Sequence, residues 1–278
     1  MVVLVGFPSD EGVKRNDGRP GAAGGPAAIR RWLYRFTPSA IELESFVDLI
    51  GRTVDLGDLA VSGDVECDQA ALGELLAPYI GGEAFVIVLG GGHETAFGHF
   101  LGYVVAEESV AIVNWDSDVD VRELKEGRAH SGSPFRQALL HPSGYCRLYT
   151  VAGLLPYSAA AAHLDFVAEH GGRHFWGPDL TADRVVGIYR EMEAPSLVTF
   201  DLDAVDQASA PGVSAPAISG MPAGLWLHAA HQAGACPAVR SCDIVELNPA
   251  YDRDGQTAKL AALTVFEVLR GLARRFAR

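Results

Sequence analysis

One pattern constrains this chain more than any other: a short apolar run closed by acidic residues at alternate positions. Val110 to Val113 is apolar and rich in β-branched residues, as in a strand buried on both faces. It runs into Asp116, Asp118 and Asp120. Alternate side chains of an extended chain point the same way, so three carboxylates converge just past a strand end. Unaided they repel one another, and at least one pKa must rise. A multivalent cation removes that cost; a solvated acidic turn is the bland alternative. A calcium loop of the EF-hand type is excluded, since counting from Asp116 the positions that need Gly and Glu hold Val121 and Gly127. The pattern then recurs. Ser196-Leu-Val-Thr-Phe reads as another buried strand and runs into Asp201 and Asp203, with Asp206 three residues further on.

Two further strand ends carry chemistry. Phe85 to Leu89 runs into Gly90-Gly91-Gly92-His93-Glu94, which is neither a GxGxxG fingerprint nor a P-loop. Three glycines let the backbone bend and approach something closely, and they deliver His93, which alone would more often be structural than a ligand. Val239 to Leu247 reads as a strand carrying Glu246. Between the strands, helical patterns are expected at 68–79, from about 94, at 158–170, 181–193, 222–235 and 257–276, with another starting at Pro26. Strands are also expected at 2–7, within 46–63, at 147–153 and at 174–177. Residues 8–26 are too rich in Gly and Pro for an element interior and form either a surface loop or an anion-reading lid. Residues 128–137 read as a polar, turn-rich stretch. Alternating strands and helices predict an α/β fold, three-layer α-β-α with a mainly parallel sheet, in one domain over 1–278. In such sheets ligands bind beyond the carboxyl ends of the strands. His93, the Asp116 and Asp201 clusters and Glu246 all hold that kind of position, which points to one shared site.

The composition removes other function classes. A net charge of −13 argues against a nucleic-acid or anionic-membrane partner. No apolar run reaches the roughly 18–20 residues that span a bilayer. Cys67, Cys146, Cys236 and Cys242 are scattered with no zinc spacing, and with no signal peptide a reducing cytoplasmic setting is expected. Neither a GxSxG elbow nor a catalytic cysteine pattern supplies a protein nucleophile. One His and at least four Asp suffice for two divalent cations, and oxygen-rich ligation suits Mn²⁺ or Mg²⁺ better than Zn²⁺. Hydrolysis of a polar C–N or P–O bond by an activated water is the generic reaction.

The motifs GGGHE (90–94), NWDSDVDVR (114–122), SGSPFRQ (131–137), FDLDAVDQASAPGVSAP (200–216) and DIVELNPAYDRDGQTAKLAA (243–262) together resemble the ureohydrolases, the arginase and agmatinase superfamily, over essentially the whole length. Within it the chain looks most like the formimidoylglutamase branch, through residues 12–30, GGGHETAFGHF at 90–100 and Ser131, which stands where agmatinase-like members have a catalytic His. The resemblance implies a binuclear Mn²⁺ site in a homo-oligomer. His93, Asp116, Asp120 and Asp201 would hold one ion, and Asp116, Asp118, Asp201 and Asp203 the other. Glu246 would be a catalytic residue that meets the cationic amidine or guanidine end of a small-molecule substrate, and Asp206 would be structural. One position departs from the pattern: Asp118 replaces the His of Asp-Ala-His-x-Asp, which shifts that site toward harder ions such as Mg²⁺ and makes Asp118 a catalytic as well as a ligating position. The expected reaction is hydrolysis of N-formimidoyl-L-glutamate. Alternatives are an agmatinase or guanidinobutyrase-like activity that releases urea, and a catalytically silent metal-binding homologue. A dicarboxylate substrate needs cations, for which Arg15, Arg19 and Arg136 are candidates, with Asn16, His130 and Ser131 beside them.

Overall fold

A computed structural model describes residues 1–82, 84–192 and 195–277. Its centre is one eight-stranded sheet in which every strand pair is parallel. The strands are β1 (Val2–Gly6), β2 (Thr53–Asp58), β3 (Phe85–Leu89), β4 (Val110–Trp115), β5 (Cys146–Leu154), β6 (Arg173–Trp176), β7 (Ser196–Asp201) and β8 (Val239–Val245), in the order β2-β1-β3-β8-β7-β4-β5-β6. Period-two alternation with helices on both faces explains why β1 and β3 are apolar or Gly throughout. Phe85, Ile87 and Leu89 of β3 enter the hydrophobic cluster on one face, and Val86 and Val88 the cluster on the other.

Helices cover both faces, giving the three layers expected. On the first lie α2 (Gly25–Leu33), α3 (Leu43–Gly51), α8 (Ala182–Arg190), α9 (Ala223–Ala235) and α10 (Gln256–Phe276). There Val265, Leu269 and Leu272 of α10 join the cluster that holds Trp226 of α9. On the second face Leu72, Leu76 and Ile80 of α4 (Val65–Ile80) share a cluster with Phe100 and Tyr103 of α5 (Thr95–Val105), and α6 (Pro134–Leu139) and α7 (Ala161–Glu169) complete the layer. A short α1 (Glu11–Arg15) follows β1.

Three local expectations need correction. The Gly- and Pro-rich stretch 8–26 contains α1 and a 3₁₀ turn at Ala22–Gly24, so its glycines punctuate short helices. Helix α3 precedes the strand expected within 46–63; Phe46 and Leu49 anchor it while its other apolar side chains stay exposed, which blurs the amphipathic signal. Within the polar stretch 128–137, Pro134 opens α6 from its first turn, where its missing N–H costs nothing. Residue 193, the end of the expected 181–193 helix, lies outside the described residues.

Strands β3, β8, β7 and β4 are consecutive in the sheet. Their carboxyl ends therefore open side by side, and each is followed directly by one of the acidic or histidine-bearing segments.

Candidate metal centre

The loop after β3 and the end of β8 are tied reciprocally. Glu246 donates its backbone N–H to Gly91 O (2.7 Å), and His93 donates its own to Glu246 Oε1 (2.8 Å). Gly92 N also donates to Ser9 O at 2.8 Å, drawing in the loop after β1. A Cβ on Gly91 would stand 1.8 Å from Ser9 O, so only glycine fits there. Glu246 and Asp120 hold positive φ, 64° and 48°. That conformation is costly for residues with a side chain and persists where the surroundings over-determine it.

This framework fixes His93. Its Nε2 lies 3.0 Å from Thr199 Oγ1 of β7. Its Nδ1 faces Asp201 Oδ2 at 2.8 Å, Asp120 Oδ2 at 2.9 Å and Asp116 Oδ2 at 3.4 Å, yet forms no well-directed hydrogen bond to any of them. A buried ring nitrogen aimed among three carboxylates without a partner of its own is an arrangement suited to a cation. The carboxylates are oriented by their own loops. Asp116 accepts from Asn114 Nδ2 and from Asp118 N, both at 2.8 Å. Asp201 accepts from Asp203 N (2.8 Å), and Asp203 accepts from Ser117 Oγ (3.0 Å).

Donor atoms of His93, Asp116, Asp120 and Asp201 lie within 4.8 Å of one another, as do those of Asp116, Asp118 and Asp203. Asp116 belongs to both groups; Asp201 belongs only to the first. The charge balance of the bare protein agrees. Burial and the neighbouring carboxylates raise Asp118 to about 8 and Asp201 to about 7, and lift Asp203 well above the usual range. Burial alone would push His93 down, but Asp201, Asp116 and Asp120 override it and push it up. Glu246 is raised by burial and by Asp201 and Glu94, and its Oε2 has no hydrogen-bond partner among the described residues. Hard oxygen donors with one imidazole, crowded beyond what they tolerate as anions, fit divalent cations.

Four of the donors, Asp118, Asp120, Asp201 and Asp203, line a cavity of about 280 Å³ together with Asn16, Arg19, Ser131 and Glu246. Arg15, His130 and Arg136 are not among its lining residues. In place of the expected carboxylate contacts, Arg15 binds Glu66 at 2.9 Å and Ala129 O at 3.0 Å, fastening α1 to α4. Arg136 binds Val121 O and Glu123 and lies over the Phe166 ring. His130 is buried: Nε2 lies 2.9 Å from Glu123 O, and Nδ1 accepts from Gly132 N, which shapes the loop presenting Ser131. Asp206 accepts from Ala208 N and Ser219 N. The sequence reading gave no role to Thr199, Ser117 or Arg122. Arg122 had a signal, because it continues the alternation of Asp116, Asp118 and Asp120; Thr199 had none short of the sheet register.

The arginase-family profile matches residues 1–270. The chain belongs to the arginase family. It is 36% identical over 281 residues to the formimidoylglutamase of Rhodococcus jostii, covering 96% of this chain and 84% of that one. It is 32% identical over 286 residues to the formimidoylglutamase of Chromobacterium violaceum, covering 98% and 88%. Among solved structures, Trypanosoma cruzi formiminoglutamase with Mn²⁺ superimposes with a TM-score of 0.89 at 29% identity, covering 99% of this chain and 94% of that one. The arginase-family chain is thus a metal-site hydrolase in kind, and its all-parallel sheet is the arginase fold.

Proposed function

We propose that this arginase-family enzyme hydrolyses N-formimidoyl-L-glutamate to L-glutamate and formamide. The observation that carries the reading is the pair of donor groups that share Asp116 and open on one cavity through Asp118, Asp120, Asp201 and Asp203, in a chain 36% identical to a formimidoylglutamase. Water adds to the amidine carbon, the bond from that carbon to the glutamate nitrogen breaks, and the nitrogen leaves protonated. The reading treats 1–278 as one catalytic domain, working as a cytoplasmic homo-oligomer.

His93, Asp116, Asp120 and Asp201 would hold one Mn²⁺, and Asp116, Asp118 and Asp203 a second ion, Mn²⁺ or Mg²⁺. Bound cations supply Lewis acidity and bring the acidity of water toward neutral pH. The protein supplies the rest. Glu246 Oε1 is held by His93 N, leaving Oε2 to accept from an amidine N–H. A cationic amidine there favours the ionised form of Glu246 that burial opposes. Thr199 holds the His93 ring so that Nδ1 keeps facing the carboxylates. Asp118, 22% exposed, is the most open carboxyl of the donor groups and faces the cavity from which substrate arrives. Asn16 Nδ2 donates to Ser131 Oγ (3.1 Å), placing two neutral polar groups on the cavity wall.

The test is a substrate screen with Mn²⁺-loaded protein, measuring glutamate, formamide and urea. Formimidoylglutamate should be turned over far better than agmatine or arginine. Urea release from agmatine or arginine as the preferred activity would reject the assignment, and no turnover of any of them would favour a silent homologue.

A further inference from the structure

Six carboxyl side chains line the cavity, against two guanidinium groups, Arg19 and Arg122. A dicarboxylate entering so acidic a space needs a cation that is free to meet it. Arg19 is already committed. Its Nε donates to Ser214 O at 2.7 Å, its Nη2 donates to Val213 O, and it stacks 4.2 Å from the centre of the Tyr251 ring. Arg122 is not. Its side chain is 45% exposed, it lies 3.8 Å from Asp118, and among the described residues its other hydrogen bond is a long 3.4 Å one to Asn16 Oδ1. Its position is nevertheless fixed. Arg122 N donates to Gly132 O at 2.8 Å, and the side chain crosses Gly132, where a Cβ would stand 2.9 Å from Arg122 Cδ. The guanidinium is thereby carried beside Asn16 and Ser131, on the wall of the cavity whose floor holds the donor cluster.

We infer that Arg122 is the residue that selects a dicarboxylate substrate, its planar fork taking one carboxylate while Asn16 and Ser131 hydrogen-bond around it. This rests on the formimidoylglutamate reading and deepens it. The alternation that aims Asp116, Asp118 and Asp120 at the cations thus continues one step outward to a residue that reads the substrate.

The test uses Mn²⁺-loaded wild-type protein, Arg122→Ala and Arg122→Lys. Substrates are formimidoylglutamate and its two monoamides, one blocked at the α-carboxylate and one at the side-chain carboxylate. Arg122→Ala should raise KM for the diacid about 10- to 100-fold, as for loss of a charge-assisted hydrogen bond, with a much smaller change in kcat. The preference for the diacid over one of the monoamides should shrink by the same factor, and Arg122→Lys should fall between. Calorimetric titration with L-glutamate gives a readout independent of turnover, and its Kd should weaken in parallel. Unchanged diacid preference and unchanged glutamate Kd in both variants, with the wild type active, would overturn the assignment of Arg122 alone. A wild type that neither turns over formimidoylglutamate nor binds glutamate would overturn the functional reading and this inference together.

Discussion

At the scale of single residues, Asp118 carries the largest electrostatic consequence. Asp116, Asp118, Asp120, Asp201 and Asp203 bring five negative charges, against four positive charges on two divalent ions. A His at 118 would leave the two sets equal. The extra charge opposes ionisation of the attacking water, so kcat/KM of the wild type should reach its plateau at higher pH than that of Asp118→His. The check is kcat/KM against pH for both proteins, each saturated with Mn²⁺ and assayed for metal content. A limb at equal or higher pH in the variant would show the electrostatic argument to be wrong. The sequence makes Asp118 visible because its neighbours define the alternation. It hides the fastening of Arg15 by Glu66 and Ala129, because partners 51 and 114 residues away leave no local trace.

At the scale of elements, the site depends on loops that follow four adjacent strands being pinned to one another. Gly91 is the tightest of these points. Gly91→Ala drives a methyl group into Ser9 O and displaces the Gly92–Ser9 and Gly91–Glu246 hydrogen bonds. Urea denaturation should show a loss of about 1–3 kcal/mol, and Mn²⁺ affinity should fall with it. Gly187 in α8 has open space where its Cβ would be, so Gly187→Ala should instead add about 0.5–1 kcal/mol and leave metal affinity unchanged. A Gly91→Ala protein as stable as the wild type and with the same Mn²⁺ affinity would show that the close approach at Gly91 does not hold the site together. The buried strands were legible because all five residues of β1 and of β3 are apolar or Gly and bounded by turn signals. Helices α1 and α3 were not: α1 is five residues long, and α3 presents apolar side chains to solvent as well as to the core. The sequence also could not say that β8 and β7 lie between β3 and β4, the arrangement that makes the four ends one site.

At the scale of the whole molecule, the centre couples folding to both protons and metal. In the metal-free protein Asp118 is raised to about 8 and Asp201 to about 7, against about 3.9 for an unfolded Asp. A raised carboxyl binds a proton in the folded state that it has lost in the unfolded state. The metal-free fold is therefore favoured at low pH and loses stability as pH rises through the folded pKa values. His93, also raised, acts in the same direction. His130, His141 and His163 are lowered by burial and act the other way, but their effect levels off about one pH unit above the unfolded value near 6.5. The lowered carboxylates, such as Glu42 beside Arg270, have finished titrating below pH 5. Between pH 6.5 and 8.5 the raised groups, namely the acidic centre together with Glu94, which burial lifts to about 7, and Glu246, therefore dominate. Chelated protein should have a lower Tm at pH 8.5 than at 6.5. Divalent cations displace those protons, so saturating Mn²⁺ should raise Tm more at pH 8.5 than at 6.5. Thermal melts in EDTA and in excess Mn²⁺ at the two pH values measure both differences. A chelated protein whose Tm climbs across this window would mean that the carboxylates are not crowded as the structure has them.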